Sequence, residues 1–148
     1  MKYSVYFTLN SSYIKFGRIW IESLHDKVNM NNVKNIFISD TGLKRKDREY
    51  FLNYDKVKIV DSGVISNFDE GTWGKGWHQS VTSKTKVLKE LVKNNEEPIV
   101  MVDGDCMFLN DISHLINTDY DLQICHRPHL EQLGVAHLAS FVSINNKK

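Results

Sequence analysis

Two observations predict an α/β fold for this chain, with a mostly parallel central sheet between two layers of helices. Short apolar segments alternate along the 148 residues with longer stretches of helical periodicity. This alternation is typical of βαβ units, whose crossovers make neighbouring strands parallel. Residues 98–102 are apolar at every position, as expected of a parallel strand that is covered on both faces. The length suggests a single domain, residues 1–148.

The N-terminal segments predict a strand followed by a helix. Residues 3–9 (YSVYFTL) are rich in aromatic and β-branched side chains, as strands are. Residues 10–12 (NSS) then offer side chains that cap helix N-termini. Apolar residues follow at helical spacing, namely Tyr13, Phe16, Trp20 and Leu24.

The middle of the chain predicts two more strands and two more helices. Residues 35–39 and 57–60 are short apolar runs, and each ends at an Asp with a Gly two residues later. The charged segment 44–54 between them has helical character. Residues 62–80, with several glycines and two tryptophans, are predicted to be irregular. Residues 80–95 form the clearest helix, whose apolar face consists of Val87, Leu88, Leu91 and Val92.

The C-terminal third predicts three strands. Residues 98–102 are the fourth strand of the chain, and residues 121–126 (DLQICH) and 139–144 (ASFVSI) are two further candidates. The two cysteines, Cys106 and Cys125, form no C-x-x-C pair, so we expect reduced thiols. We interpret Cys106 as a small buried residue that continues the fourth strand. The alternative is a nucleophile beside the neighbouring acids.

The composition argues against several classes of protein. A formal net charge of +1 gives no broad electrostatic footprint for nucleic acid and no polybasic membrane anchor. No apolar run approaches the roughly 20 residues that span a bilayer, so we expect no transmembrane segment. The N-terminus lacks the long apolar middle and the cleavage site of a signal peptide. A cytoplasmic location is therefore the default expectation.

Two carboxylates at the end of the fourth strand are the main functional signal. Asp103 and Asp105 follow the apolar run directly, and Gly104 between them permits a tight turn. Ligands of open α/β sheets bind at the carboxyl ends of strands, and paired carboxylates are the hard ligands that Mg²⁺ and Mn²⁺ prefer. The pattern indicates a metal-bridged phosphate or diphosphate. The alternative is that both aspartates only close a turn or cap a helix.

Four segments together form a pattern shared with one known family. They are YSVYFTLNSSYIKFGRIWIESL, then SKTKVLKELV with EEPIVMVDGDCMFLND, then ISHLINTDYDLQICHRP, and finally LASFVSINN. Over nearly its whole length the chain resembles the GT-A-type nucleotide-sugar glycosyltransferases, which have a three-layer α/β/α fold. The D-x-D motif alone is weakly specific. Its position after the lysine-rich helix and before FLNDISHL makes the resemblance more specific.

The resemblance implies roles for the acids and for one lysine. Asp105 would bind the divalent metal, Mn²⁺ or Mg²⁺, directly. Asp103 would share that metal or hold the ribose. Lys84 would face the donor phosphates, and the alternative is one more solvated lysine on its helix.

At the ends of the first two strands the resemblance implies contacts with the nucleotide. Thr8, Leu9 and Asn10 would line the base. Tyr13 could stack on the base, or it could equally belong to the core. Asp40 could accept a hydrogen bond from the base or ribose, although we favour a cap on the next helix.

The implied activity is that of a hexosyltransferase-like enzyme. It would bind a nucleotide-diphosphate sugar, a UDP-sugar by resemblance, and transfer the sugar to an unknown acceptor. A metal and a nearby lysine would stabilise the charge that develops on the departing diphosphate. No catalytic base is assigned, so the catalytic residues are unknown from the sequence.

Two alternatives to this activity stay open. GT-A domains usually continue beyond the strand that ASFVSINN resembles, whereas this sequence stops at Lys148. We therefore expect a C-terminally truncated fragment, a minimal relative, or a homo-oligomer in which a partner completes the site. One alternative function is a non-catalytic nucleotide-sugar-binding module or an inactive remnant. The other is a phosphatase with Asp103 as nucleophile, which would require Asp103 at the end of the first strand.

Overall fold

This computed structural model describes residues 1–65, 75–126 and 137–145. In these residues the first four strands alternate with three α-helices, and two further strands follow, in the predicted order. The strands are β1 (Tyr3–Leu9), β2 (Val33–Asp40), β3 (Val57–Asp61), β4 (Ile99–Val102), β5 (Leu122–His126) and β6 (His137–Ile144). The helices are α1 (Ile14–Lys27), α2 (Arg45–Leu52) and α3 (Lys75–Asn94). Two short 3₁₀ turns cover Ser11–Tyr13 and Ser113–Leu115.

The described strands form one sheet, which is mostly parallel. Their order is β3-β2-β1-β4-β6-β5. β1 pairs in parallel with β2 and β4, and β2 pairs in parallel with β3. β6 runs antiparallel to both of its neighbours, β4 and β5. The predicted α/β fold with a mostly parallel central sheet is confirmed.

Helices on both faces of the sheet make three layers. On one face, α1 and α2 surround β1, where the ring of Trp20 stacks on Phe7 with centroids 3.9 Å apart. Phe51 of α2 meets the same Phe7 ring edge-on at 6.4 Å. On the other face, α3 packs against β1 and β4. The residues of α3 buried there are among those predicted: Val87, Leu88 and Leu91.

The unbroken apolar sequence of β4 follows from this layering. Alternate side chains of a strand point to opposite faces of its sheet. Val100 and Val102 join the core under α1 and α2, whereas Ile99 and Met101 join the core under α3. Because helices cover both faces, no position of β4 tolerates a polar residue at low cost, as the sequence predicts.

The apolar residues at helical spacing on α1 are not all buried. Trp20 and Leu24 lie in the core, whereas Phe16 is about half exposed, at 48%. The residues that face the core are Gly17, Trp20, Ile21 and Leu24. Gly17 lies so close to Leu9 that a Cβ there would stand 2.5 Å from a Leu9 methyl carbon. The missing side chain lets the helix turn its backbone, rather than Phe16, toward the sheet.

Two further predictions need correction. The segment 62–80 is not irregular throughout, because α3 already begins at Lys75. Cys106 does not continue a strand, since β4 ends at Val102 and a turn follows in which the Cys106 N–H donates to the Asp103 carbonyl at 3.1 Å. Both cysteines are free thiols, as expected.

None of the helices in residues 1–65, 75–126 and 137–145 is long and apolar enough to cross a membrane.

Candidate functional site

A pocket of about 240 Å³ opens at the carboxyl ends of β1 and β4. It contains seven of the eight residues that the sequence singles out. β1 and the turn after it contribute Thr8, Leu9, Asn10 and Tyr13. α3 contributes Lys84, and the turn after β4 contributes Asp103 and Asp105. The edge of the sheet where ligands of open α/β proteins bind is therefore the edge that holds these side chains.

Gly104 brings the two strand ends together. β1 and β4 are neighbours, with Tyr6 opposite Met101, so the residues that follow each strand meet at the same edge. A Cβ on Gly104 would lie 3.0 Å from the Thr8 carbonyl oxygen. Among the described glycines only Gly42 and Gly63 have a positive φ. Gly104 lies in the tight turn that the sequence suggested, closed by the hydrogen bond from the Cys106 N–H to the Asp103 carbonyl. Its missing side chain is needed for the close approach of the backbones rather than for a positive φ.

Asp103 is held from two sides. Its N–H donates to the Ser140 carbonyl of β6 at 3.0 Å, which extends the pairing of β4 with β6 by one step. Its carboxylate accepts a hydrogen bond from the Lys84 ammonium, with Nζ and Oδ1 2.5 Å apart. The Lys84 side chain is only 19% exposed and that of Asp103 is 32% exposed. Lys84 is thus a pocket residue in contact with one of the acids, and not simply one more solvated lysine.

The helix position of Lys84 is fixed by a buried tyrosine. The Tyr6 hydroxyl donates to the Lys84 carbonyl at 3.0 Å, and it lies 3.2 Å from the Thr8 hydroxyl. Tyr6 is fully buried, and burial raises the pKa of its phenol. The phenol therefore stays protonated and keeps donating at any pH near neutral. This contact attaches α3 to β1 at the residue that reaches Asp103.

Asp105 differs from Asp103 in its surroundings. It is exposed, and it makes no hydrogen bond or ion pair with any residue in the described part of the chain. The neighbouring Cys106 is half-buried, and burial raises the pKa of its thiol, with Asp105 and Asp103 raising that pKa further. An un-ionised thiol is a poor nucleophile, so this environment disfavours the nucleophile interpretation of Cys106.

The turn after β1 is built by side chains that were expected to cap a helix. The Asn10 side chain accepts a hydrogen bond from the Tyr13 N–H at 3.1 Å, as an N-cap residue does. Tyr13 is 37% exposed and lines the pocket, with its ring 5.7 Å from that of Phe16. Tyr13 is therefore not a core residue, and its ring is accessible from the pocket.

Asp40 lies apart from the pocket. It is buried, and one of its carboxylate oxygens accepts hydrogen bonds from the backbone N–H groups of Gly42 and Leu43 at 2.8 and 2.7 Å. The guanidinium of Arg48 on α2 pairs with the other oxygen. Asp40 closes the turn that leads into α2, which is close to the capping role that we favoured.

Three pocket residues were missed by the sequence analysis. Thr41 follows β2, and both its N–H and its hydroxyl donate to the Leu9 carbonyl, at 3.0 and 3.1 Å. Ser80 and Val81 also line the pocket, and they precede Lys84 by one turn of α3. Because residues three and four apart share a helix face, the spacing from Lys84 could have identified both.

The acids of the pocket suit a hard divalent cation. Asp103 and Asp105 are carboxylates at one end of the pocket, and no cluster of three or more His, Cys, Asp or Glu side chains occurs in the described ranges. Mg²⁺ usually binds one or two carboxylates and completes its shell with water and substrate phosphates. The donor set therefore fits a cation that a bound diphosphate would complete.

Several solved structures that resemble this chain are those of glycosyltransferases. The galactosyltransferase LgtC, in complex with donor and acceptor sugar analogues, is 13% identical with a TM-score of 0.64, over 98% of this chain and 58% of that one. GlyE of Streptococcus pneumoniae TIGR4 is 17% identical with a TM-score of 0.61, over 100% of this chain and 35% of that one. The mannosyltransferase PcManGT of Pyrobaculum calidifontis, in complex with GDP-Man and Mn²⁺, is 9% identical with a TM-score of 0.59, over 97% and 44%.

These similarities establish the fold, which is GT-A-like. The chain spans 58% of the length of LgtC and less than half the length of the other two proteins. No model of a protein family matches the sequence. No functionally curated protein matches it either.

Proposed function

We propose that the pocket binds a nucleotide-diphosphate sugar together with Mn²⁺ or Mg²⁺, and that the protein transfers the sugar to an acceptor. The main support is the convergence of the β1 end and both acids on one pocket of a GT-A-like fold. Each half of that pocket has a distinct chemistry. One half offers neutral polar groups and an aromatic ring, and the other half offers carboxylates and an ammonium.

The neutral half would bind the nucleoside. The Tyr13 ring is accessible and could stack on the base, while Asn10 and Thr41 offer neutral polar groups to its edge. Asp40 is committed to the turn before α2, so it lies outside the proposed site. A guanine edge presents adjacent N–H donors that a carboxylate matches best, whereas uracil can be bound by neutral groups. We therefore favour UDP over GDP as the nucleotide.

The charged half would bind the diphosphate. Asp105, with Asp103 beside it, would hold the divalent cation, and the Lys84 ammonium would contact the phosphates. When bound, the cation would stabilise the negative charge that develops on the departing diphosphate. Lys84 adds a second positive group to the same oxygens. The acceptor oxygen would bond to the sugar carbon as the bond from that carbon to the diphosphate breaks, and the hydroxyl proton would pass to solvent or to the departing diphosphate.

The phosphatase alternative fits the structure poorly. It requires the nucleophilic aspartate to follow the first strand, whereas Asp103 follows β4, the fourth strand in chain order. β1 instead ends at Leu9 and is followed by Asn10. The ammonium of Lys84 also occupies one oxygen of the supposed nucleophile.

Ligand-dependent thermal stability tests the proposal. Because a ligand stabilises the state that binds it, UDP at 100 times its Kd adds about 2.7 kcal/mol. For a domain of this size we expect a rise in Tm of roughly 5–10 °C with UDP and Mn²⁺ together, and much less with either alone. Asp105→Ala should abolish the rise. Asp55→Ala, which removes an exposed aspartate that does not line the pocket, should keep it.

Equal shifts for wild type and Asp105→Ala would contradict the proposed site. A separate assay of UDP release from UDP-sugars, with and without candidate acceptors, distinguishes a transferase from a module that only binds. Metal-dependent binding without any release would favour the binding module.

A further inference from the structure

The charges in the pocket are unevenly compensated. Its acidic and basic side chains are Lys84, Asp103 and Asp105, so the pocket has a formal net charge of −1. The single positive charge is paired with Asp103 at 2.5 Å, while Asp105 has no partner among the described residues. A cation that enters alone therefore meets one available carboxylate and a nearby ammonium.

Both members of the ion pair are held by their backbones. The Lys84 carbonyl accepts a hydrogen bond from fully buried Tyr6, and the Asp103 N–H donates to Ser140 of β6. These contacts anchor both backbones, so the ammonium leaves Asp103 through rotation of the Lys84 side chain. Another anion in the pocket would offer the ammonium a new partner.

We propose that Lys84 is the counter-ion of Asp103 in the free protein and makes cation binding depend on the diphosphate. This inference rests on the proposed function of the pocket. A diphosphate draws the Lys84 ammonium to its oxygens, and Asp103 then becomes available to the cation beside Asp105. Lys84 is thus a positioning residue for the metal site, because it acts on the metal through Asp103.

Removing Lys84 should change the affinities for the cation and for the diphosphate in opposite directions. Without Lys84 the pocket has a net charge of −2 and two available carboxylates, so a cation alone binds more tightly. The diphosphate, however, loses a positive partner and meets more negative charge. A purely structural lysine would weaken both ligands together, and so the opposite signs are the signature of the counter-ion role.

The test is a titration of the full chain with Mn²⁺, done once without nucleotide and once with saturating UDP. The electron paramagnetic resonance signal of free Mn²⁺ measures how much metal stays unbound. For Lys84→Met, and for Lys84→Gln, which can still donate a hydrogen bond to Asp103, we expect Mn²⁺ alone to bind about tenfold more tightly than to wild type. The gain in Mn²⁺ affinity that UDP brings should shrink by a similar factor. Lys89→Met removes an exposed lysine of the same helix and should leave both values unchanged.

The outcomes separate this inference from the function on which it rests. If Mn²⁺ alone binds both Lys84 variants no more tightly than wild type, while UDP still enhances Mn²⁺ binding to wild type, the counter-ion role is overturned and the proposed site stands. If wild type binds no Mn²⁺ even with UDP present, the proposed function itself fails. Lys84→Arg keeps the charge and should behave like wild type.

Discussion

At residue 104 the lack of a side chain decides how close the turn after β4 lies to β1. The 3.0 Å that would separate a Cβ at this position from the Thr8 carbonyl is shorter than ordinary contact, and backbone atoms cannot move away as the end of a flexible side chain can. The residues on each side of Gly104 are the two acids of the pocket. Any shift that relieves such contact also displaces those acids relative to Thr8.

We predict that Gly104→Ala lowers the free energy of unfolding by about 1 kcal/mol and weakens UDP binding in the presence of Mn²⁺ several-fold. Urea denaturation and calorimetric titration measure the two effects. Gly63→Ala is the matched control, because its φ of +68° strains an alanine while the residue lies outside the pocket lining. It should lose comparable stability and keep its affinity for UDP. Unchanged affinity in Gly104→Ala would argue against the close approach.

The sequence identified most pocket residues because strand ends are easy to locate. Thr8 lies at the end of an apolar run, Asn10 and Asp103 directly follow such runs, and topology brings the ends of parallel strands to one edge. Asp40 also follows such a run, yet its side chain turns to the amides of its own loop. Whether the Asp40 side chain faces its own loop or the pocket depends on its side-chain torsion angles and on its pairing with Arg48, 8 residues later. A strand pattern in the sequence reveals neither.

At the scale of elements, the packing of α1 depends on Gly17 more than on its aromatic residues. In an exposed helix, Gly→Ala stabilises by about 1 kcal/mol. Here a Cβ would lie 2.5 Å from one Leu9 methyl and 3.2 Å from the Phe51 ring, both of them buried. Helical periodicity counts apolar side chains and gives no weight to glycine, so the sequence pattern does not show that Gly17 faces the core and Phe16 is half exposed.

We predict that Gly17→Ala is destabilising, by about 1–3 kcal/mol, because overpacking outweighs the gain in helix propensity. Denaturation curves of Gly17→Ala, Leu9→Ala and the double variant form a thermodynamic cycle. Removing the Leu9 methyl groups makes room for the new Cβ. The double variant should therefore lose less unfolding free energy than the sum of the two single losses, by more than about 0.5 kcal/mol. Strict additivity would mean that α1 does not approach β1 at this point.

The attachment of α3 to β1 through Tyr6 gives a second test at this scale. Tyr6→Phe removes the donor to the Lys84 carbonyl and should cost about 1 kcal/mol of stability. Amide hydrogen exchange in the Lys84 turn of α3 should also become faster. Tyr120→Phe removes a hydroxyl from a ring that is 61% exposed and should change neither quantity. Unaltered exchange in Tyr6→Phe would show that apolar packing alone holds the helix in place.

At the scale of the whole molecule, the amino-terminal edge of the sheet has its own buried charge. Glu97 precedes β4, and one of its oxygens accepts hydrogen bonds from Ser4 of β1 and Asn35 of β2, at 2.5 and 3.2 Å. The Lys34 ammonium lies 2.8 Å from the other oxygen. Burial alone would raise the pKa of Glu97, but the hydrogen bonds from Lys34 and Ser4 outweigh it and hold the pKa below its ordinary 4.5. One carboxylate thus joins three adjacent strands.

We predict that this carboxylate makes the protein sensitive to acid. Because the pKa of Glu97 is lower in the folded state, its contribution is complete above pH 4.5 and is lost as the pH falls through the folded-state value. Glu97→Gln should cost about 1–2 kcal/mol at pH 7 and should flatten the decline in stability below pH 4.5. Glu96→Gln, at an exposed neighbour, should leave the pH profile unchanged. Parallel profiles for wild type and Glu97→Gln would contradict this account.

The order of the strands in the sheet could not be predicted from the sequence. Alternating strands and helices predict parallel neighbours, but they do not say that β4 lies beside β1 rather than beside β3. That choice depends on contacts between residues about 95 apart, such as Ser4 opposite Ile99. Burial offers one indication in retrospect, since six of the seven residues of β1 are buried, as a central strand requires.

The contrast between the two edges of the sheet affects how this protein can evolve. Glu97 is enclosed by hydrogen bonds, so substitutions there destabilise the fold, and protein quality control degrades such variants whatever their activity. Asp105 is exposed and unpartnered among the described residues, so its replacement should leave the stability nearly unchanged. In a library of random variants, selection for folded protein would therefore conserve Glu97 and let Asp105 drift. A second selection, for variants that bind an immobilised nucleotide, should instead conserve Asp105.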